Sequence, residues 1–455
     1  AYGRALRGDS SSQIVEHYYS GASARTTKMP ARIRVGLAQG RSEIGVTTEG
    51  RDADGGRITF KVKGVSGKVV SAGTSDRLRF AVSTTGGFRV YKNDARVKKS
   101  GRSVFGSSSR PLVGSYQRFD TIARVSGKSY GVAYGRLELV TYSTNSCSPG
   151  YCASVVVSQP MQKYLYGLGE VPASWPQATL QAQAIAGRTY AFEKVGRLGQ
   201  DRYPCFCAVY DSTIDQAFVG DSKRTGSGQY WDDWKRAVDQ TKDRVVLHKG
   251  GAIQAFYSSS SGGHTENVEN VWGGSSLPYL RGVRDGPDYA QGKNPNWRWT
   301  VPETRWSDFR NRIENFFNQS ADTRFGRLKK IRIVDKGVSG RATANGVKLV
   351  GSSDTVRVGG WSVRSALSLK DSWFRFAYRY RANGRTVSGA FARTYERSGG
   401  FKGELGAPVG DRQDLEGVKI QKFEHGAIYK SPSGRITAVG GAAAARLMQR
   451  LGIED

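Results

Sequence analysis

One carboxylate stands out in the stretch EVPASWPQATLQAQAIAGRTYAF, which runs from Glu170 to Phe192. Glu170 comes directly before a segment with two prolines, and Arg188 lies in the helical pattern that follows. A carboxyl group held at such a corner is suited to general acid and base catalysis, because it can give and take a proton at one place. An arginine beside it would be suited to binding a polar or anionic part of a ligand.

The residues after Pro176 predict the helix that positions this pair, since proline is favoured at the start of a helix. The packing face of the helix is predicted from one stripe of residues: Ala178, Ala182, Ile185, Thr189 and Phe192. Gln181, Ala184 and Arg188 share a neighbouring stripe, which would suit the floor of a polar cleft. From spacing alone, the plainer interpretation makes Arg188 a surface charge at the edge of a core helix.

The serine-rich loop SSSSGGHTE contains other reactive residue types. Ser260 or Ser261 with His264 would be the elements of a serine hydrolase, but the G-x-S-x-G turn that exposes such a nucleophile is missing. A glycine turn between two strands is the better interpretation. His264 and Glu266 are also potential metal ligands, yet the four histidines of the chain show neither His-x3-His nor His-Glu-x2-His spacing.

The four cysteines lie in two close sequence pairs, Cys147 and Cys152, then Cys205 and Cys207. An even number is typical of an oxidised, exported protein. A four-cysteine zinc site usually uses two C-x2-4-C pairs, and the spacings C-x4-C and C-x-C fit this poorly. We therefore predict disulfides and no cofactor, with structural zinc as the minor alternative. The pairing stays open, because a bridge across C-x-C would be strained.

The chain has 455 residues and a net charge of +30. This length suits two to four domains. The charge predicts an anionic partner, such as nucleic acid, a membrane surface or an anionic wall polymer. Nucleic acid is disfavoured, because no nucleic-acid motif accompanies the charge and the cysteines suggest export. The sequence contains no apolar window of about 18 residues, so it predicts no transmembrane helix.

Short alternating runs between about Ile33 and Val140 predict a β-rich region. Helical patterns precede it in residues 1–25 and follow it in residues 158–196, and another covers Ser307–Asn318. Strands and helices in separate runs are typical of an α+β protein. We therefore predict an elongated, β-rich α+β domain with a helical segment that contains Glu170.

Three motifs carry a resemblance to a known family. YLYGLGEVPASWPQATLQAQAIAGRTYAF resembles the signature of the SpoIID/LytB family, the group of stage II sporulation protein D and the amidase enhancer. AFYSSSSGGHTENVENVWGGSSLPYLRGV and YDSTIDQAFVG are similar to two further family segments, and the resemblance covers most of residues 1–376. The opening AYGRALRGDSSSQIVEHYYSG resembles the tail of the family's Gly/His-rich segment, so upstream residues are expected.

The resemblance implies a lytic transglycosylase that cleaves peptidoglycan glycan strands stripped of stem peptides and leaves 1,6-anhydro-MurNAc ends. Glu170 matches the family's catalytic glutamate, which would act as a single acid and base. Arg188 matches the motif arginine, and Tyr279 with Arg281 matches a patch thought to line the cleft. The expected substrate-binding set is Gln181, Tyr279, Arg281, His264 and Glu266. The alternative is a non-catalytic wall-binding scaffold or an amidase activator.

The C-terminal part resembles a different module. LGAP at Leu405–Pro408 and KFEHGAIYKSPSGRITAV are similar to an LGFP repeat, which implies wall binding. The predicted domains are the end of the Gly/His-rich segment (1–32), the SpoIID/LytB-like domain (33–376, with a β-rich insertion at about 50–140), a linker (377–390) and the LGFP-like module (391–455). We expect an extracellular, wall-associated protein whose partners are glycan strands, anionic wall polymers and a cell-wall amidase.

Overall fold

The computed structural model describes residues 1–50, 56–116, 121–148, 150–286, 294, 296–297, 299–301, 304–377, 379–415 and 417–453. These residues form two compact units. One contains residues 1–330 and 334–370, and the other contains residues 331–333 and 371–455. Strands and helices occur in both units, which confirms the predicted α+β class.

The helices α1 to α11 span Tyr2–Leu6, Ser11–Tyr18, Met161–Tyr166, Gln177–Leu198, Ser222–Ser227, Trp231–Gln240, Val268–Trp272, Trp306–Phe317, Gly360–Leu367, Gly389–Arg397 and Gly441–Arg450. The strands β1 to β13 span Ser23–Thr26, Ile33–Arg41, Glu43–Gly50, Ile58–Val62, Val70–Ala72, Arg77–Val82, Phe88–Lys92, Ala95–Arg96, Leu112–Tyr116, Thr121–Val125, Gly131–Val132, Arg136–Ser143 and Tyr151–Gln159. The strands β14 to β25 span Val209–Tyr210, Arg244–His248, Gly251–Ala252, Lys330–Ile333, Val347–Val350, Thr355–Val358, Arg379–Ala382, Arg385–Ser388, Gln413–Leu415, Val418–Phe423, Gly426–Lys430 and Ile436–Gly440.

Two sheets form the β-rich part of the larger unit. Their strand orders are β14-β2-β13-β12-β9-β4-β5 and β11-β10-β3-β6-β7-β8. The central strand β13 pairs antiparallel with β2 and β12 and is buried along almost its whole length. The rings of Phe60 on β4 and Phe80 on β6 lie 4.7 Å apart between centroids, so the two sheets pack face to face around a shared core.

Helix α4 packs between two hydrophobic clusters of this unit. Leu180 and Ala184 join the cluster that the two sheets share, whereas Ala182 and Ile185 contact the cluster formed with α2 and β15. Small side chains let the helix approach neighbours on both sides. This double packing explains the alanine-rich pattern after Pro176, because a helix with one exposed face would tolerate larger polar residues there.

The smaller unit contains the hairpin β20–β21, helix α10, the sheet β22-β23-β24-β25 and helix α11. Its core includes Val387 of the hairpin and Tyr395 of α10, whose ring stacks on Phe423 with centroids 4.7 Å apart. Residues 377–390, predicted as a linker, therefore contain a paired hairpin whose Val387 belongs to this core.

Candidate functional site around Glu170

Glu170 follows a short crossing of two chain segments in the larger unit. Residues 167–169 and 217–219 are joined by backbone hydrogen bonds of 2.7 and 2.8 Å. The crossing needs glycine at Gly167, because a Cβ atom there would lie 2.5 Å from the ring of Phe218. The close approach of the two segments holds the backbone of Glu170 at a defined place.

The half-buried carboxylate of Glu170 accepts two hydrogen bonds on the same oxygen. The backbone N–H of Ala217 donates to Oε1 over 2.6 Å, and the hydroxyl of Tyr257 donates to Oε1 over 3.1 Å. Within the part of the chain that the structure describes, Oε2 has no hydrogen-bond partner. The carboxyl group is thus oriented through one oxygen and can present the other to a ligand.

A chain of buried polar groups continues from Tyr257 into the core. The Nε2 of Gln216 donates to the Tyr257 hydroxyl over 2.8 Å, and the hydroxyl of Tyr164 donates to Oε1 of Gln216 over 2.8 Å. Gln216 and Tyr164 have no exposed surface. Because every hydrogen bond in this chain points toward Glu170, the chain fixes the hydroxyl hydrogen of Tyr257 on the carboxylate.

Burial keeps the tyrosines around Glu170 in their neutral form. It raises the pKa of Tyr257 and of Tyr164 well above the usual value, and the negative charge of Glu170 adds to both shifts. Burial also raises the pKa of Tyr190 to about 12. These hydroxyls therefore remain protonated at neutral pH and act as donors.

Arg188 lies in the interior, with no exposed side-chain surface. Its guanidinium donates to the carbonyls of Val238 and Arg244 over 3.2 and 3.1 Å and contacts the Thr241 hydroxyl at 3.4 Å. Burial lowers the pKa of Arg188 to about 10, so the group stays charged at neutral pH. The interpretation as a surface charge is wrong. The structure does not bring Arg188 to the carboxylate of Glu170, since its hydrogen bonds tie α4 to the end of α6 and the start of β15.

The predicted substrate-binding residues hold the surrounding chain together. Gln181 donates to Oε1 of Gln240 over 2.9 Å, at the end of α6. Arg281 forms an ion pair with Glu269 of α7, with an Nη1–Oε1 distance of 2.8 Å, and this contact raises the pKa of Arg281. The ring of Tyr279 is half-buried and packs against the cluster that includes α2.

His264 and Glu266 stabilise the turn that follows the serine-rich loop. The Nδ1 atom of His264 lies 2.7 Å from the Thr265 carbonyl oxygen. Glu266 accepts hydrogen bonds from Asn270 Nδ2 at 2.9 Å and from the Ser339 hydroxyl at 2.5 Å. Burial raises the pKa of Glu266, but these and other hydrogen bonds outweigh it, so the net pKa is lowered. Of the predicted site residues, only Glu170 belongs to the hydrogen-bond chain of Gln216 and Tyr257.

The cysteines pair with their sequence neighbours. Disulfides join Cys147 to Cys152 and Cys205 to Cys207. The described residues contain no cluster of three or more His, Cys, Asp or Glu side chains that could hold a metal ion. No helix in the described ranges is both long and apolar enough to cross a bilayer.

Family models match two separate parts of the chain. Residues 152–248 match the model of the Stage II sporulation protein SpoIID, and residues 405–454 match the LGFP repeat. The chain carries a SpoIID domain and an LGFP repeat. Both predicted resemblances are thereby confirmed. The SpoIID match contains Glu170, Gln216 and Ala217 of the site, whereas Tyr257 lies after it.

Three relatives match parts of the chain. The amidase enhancer of Bacillus subtilis (strain 168) is 37% identical over 132 residues, which cover 29% of this chain and 15% of the relative. Stage II sporulation protein D of the same strain is 28% identical over 148 residues, which cover 31% and 42%. An uncharacterized protein of Brachyspira hyodysenteriae (strain ATCC 49526 / WA1) is 28% identical over 219 residues, which cover 46% and 54%. The chain thus spans about half or less of the length of these relatives.

None of the groups that donate hydrogen bonds to Glu170 was among the predicted site residues. Gln216 and Ala217 lie in YDSTIDQAFVG, and Tyr257 lies in AFYSSSSGG. Both segments carry the family resemblance, so they marked the right parts of the chain. Serine and histidine attracted attention in the second segment, although the group that reaches the carboxylate is the tyrosine directly before the serines.

Proposed function

We propose that this protein is a lytic transglycosylase that cleaves the glycan strands of peptidoglycan, with Glu170 as its single acid and base. The observation that supports this is the orientation of the Glu170 carboxyl group. Two donors hold Oε1, and Oε2 has no partner among the described residues. A carboxyl group arranged in this way can carry its proton on Oε2 and deliver it in one direction.

The proposed reaction consumes no water. The proton on Oε2 of Glu170 passes to the glycosidic oxygen as the bond from that oxygen to the anomeric carbon breaks. The C6 hydroxyl oxygen of the same sugar then bonds to the anomeric carbon and closes a 1,6-anhydro ring. The hydroxyl proton passes to the Glu170 carboxylate, which restores the acid for the next cycle.

The proposed reaction differs from ordinary glycoside hydrolysis in the number of carboxyl groups that it needs. Hydrolases normally use two carboxyl groups, one as acid and one as nucleophile or base. A reaction in which the substrate supplies its own nucleophile needs only one such group.

The proposed location and partners rest on the comparisons and on charge. Relatives named for sporulation and for amidase enhancement, together with the LGFP repeat, support an extracellular, wall-associated role. The net charge of +30 supports binding to anionic wall polymers. The name of the 37% identical relative favours a second function, activation of a cell-wall amidase by a protein that does not cleave glycan itself.

Product analysis with a matched variant tests the proposal. Denuded glycan strands are incubated with the protein and with Glu170→Gln, which keeps the shape and loses the proton. Mass spectrometry should find 1,6-anhydro ends, and the variant should form them at least about 100-fold more slowly. Reducing ends that carry added water would indicate a hydrolase. Anhydro ends at the parent rate in Glu170→Gln would exclude Glu170 as the acid. Glycan left intact, with stimulation of an added amidase, would favour the second function.

A further inference from the structure

We propose that Asp215 is a positioning residue that holds the backbone N–H of Ala217 on the Glu170 carboxylate. Its effect on cleavage rests on the proposed function, because Glu170 is the proposed acid. Its effect on the hydrogen bond of Ala217 does not, since that bond exists in the protein without glycan and can be measured there.

The side chain of Asp215 is enclosed by hydrogen-bond donors and has no exposed surface. The hydroxyl of Tyr190 donates to Oδ1 over 2.7 Å, and the backbone N–H of Tyr210 donates to Oδ2 over 2.8 Å. Lys194 forms an ion pair with Oδ1, and Nη2 of Arg202 lies 3.8 Å from Oδ2. A buried carboxylate is costly unless donors and opposite charges compensate for it, so these contacts hold Asp215 at one place.

Asp215 and the residue after it fasten the chain to one face of α4. Tyr190 and Lys194 belong to this helix, and so does Gly187, whose carbonyl oxygen accepts a hydrogen bond from Nε2 of Gln216 over 3.3 Å. Residues 187, 190 and 194 are three and four positions apart, and they therefore share one face of the helix. The chain thus contacts α4 through two successive residues directly before Ala217.

The backbone N–H of Ala217 is held from two sides. Asp215 anchors the chain two residues before it, and the N–H of Gly169 donates to the Ala217 carbonyl over 2.7 Å on the other side. Between these contacts, the N–H donates to Oε1 of Glu170 over 2.6 Å. Hydrogen bonds weaken steeply when they are bent, and the backbone sets the direction of this donor. A displacement of Asp215 would therefore weaken a hydrogen bond that orients the Glu170 carboxylate.

Asp215→Asn tests the hydrogen bond of Ala217 directly. An ionised carboxylate only accepts hydrogen bonds, and each described partner of Asp215 is a donor. The substitution keeps the shape, but its amide N–H groups would face at least one of these donors and displace the chain. In protein with isotope-labelled alanine, the Ala217 N–H proton resonance is assigned by its loss in Ala217→Ser. In Asp215→Asn it should move upfield, because the hydrogen bond to the carboxylate lengthens.

Cleavage of denuded glycan should change in kcat and not in KM. In Asp215→Asn, kcat per folded molecule should fall about tenfold, because the carboxyl group of Glu170 is less well directed. KM should stay within about twofold, since the Asp215 side chain is buried and cannot touch a glycan. Both constants are measured below the melting transition of the variant, where lost stability alone changes neither of them.

Glu193→Gln provides the matched control. It makes the same chemical change on α4, at a carboxylate whose ion pair joins it to Arg197 of the same helix, with an Nε–Oε1 distance of 2.5 Å. The Ala217 resonance should not move in this variant, and kcat should stay within about twofold. Tyr190→Phe covers the case in which Asp215→Asn does not fold, because it removes one donor and leaves the charges in place. It should move the resonance in the same direction and lower kcat about threefold.

The outcomes separate this inference from the proposed function. An Ala217 resonance that stays in place in Asp215→Asn and Tyr190→Phe would overturn the role of Asp215. So would an unchanged kcat in a parent protein that cleaves glycan. A shifted resonance in a protein that cleaves no glycan would support the positioning of the Ala217 N–H and reject the proposed function.

Discussion

Glu170 is half-buried and leaves one carboxylate oxygen without a described partner, whereas Arg188, in the same motif, has no exposed surface. Glu170 is held by groups from two distant segments that aim donors at it. Arg188 aims its own donors at backbone carbonyls of α6 and β15. A charged residue in a family motif can therefore be taken up by contacts of the fold, while another residue of the same motif keeps an oxygen available for the proposed chemistry.

The largest difference between the two residues is expected when each is substituted, because Arg188 should affect stability and Glu170 should affect cleavage. Arg188→Met removes the donors to the Val238 and Arg244 carbonyls, and the unsatisfied carbonyls should lower the free energy of unfolding by about 2 kcal/mol. Thermal melting measures this loss. Cleavage per folded molecule should stay within about twofold of the parent, in contrast to the loss of about 100-fold expected for Glu170→Gln.

The opposite pattern would reverse the assignment of Arg188. A stable Arg188→Met variant that binds glycan and fails to cleave it would show that the arginine takes part in the reaction. The two substitutions are compared at the same temperature, below the melting transition of either variant.

A smaller effect is expected from the tyrosine that orients the carboxylate. Tyr257→Phe removes one hydrogen bond to Oε1 of Glu170 and should lower kcat about tenfold, because a hydrogen bond to a charged group contributes about 1.5–3 kcal/mol. Steady-state cleavage of soluble glycan measures the change. Tyr279→Phe is the control, since its ring packs against the same hydrophobic cluster as Tyr257 while its hydroxyl has no hydrogen bond to Glu170 in the described part of the chain, and it should change kcat less than twofold. Equal losses in both variants would contradict the special position of Tyr257.

The smallest effect on cleavage is expected from the LGFP repeat. Removal of residues 371–455 deletes the repeat together with the hairpin whose Val387 belongs to its core. Retention on wall sacculi at high salt should fall, because charge attraction is screened over about 8 Å at physiological ionic strength and over less at higher salt. Cleavage of short glycan fragments should persist. Full retention at high salt, or lost cleavage in a shortened protein that still folds, would reject this division between the two units.

The sequence predicted more of the fold than of the site. Alternating patterns located the strands of residues 33–140, and the motif around Pro176 located α4. The pattern did not reveal that α4 is covered on both sides. In the sequence, a buried helix stripe that contains an arginine has the same pattern as an exposed polar stripe. Arg188 can be buried because backbone carbonyls elsewhere in the chain accept its hydrogen bonds.

Residue patterns and motifs are enough to predict the α+β class, the SpoIID and LGFP segments, the strong positive charge and the place of Glu170 before its helix. Which groups contact that carboxylate follows from the tertiary structure. Ala217 and Tyr257 come from separate segments, and their contacts depend on how the crossing at Gly167 and the loop after β16 pack together. Burial and direction of a side chain are set by such packing between distant parts of the chain, and residue spacing along one segment cannot encode them.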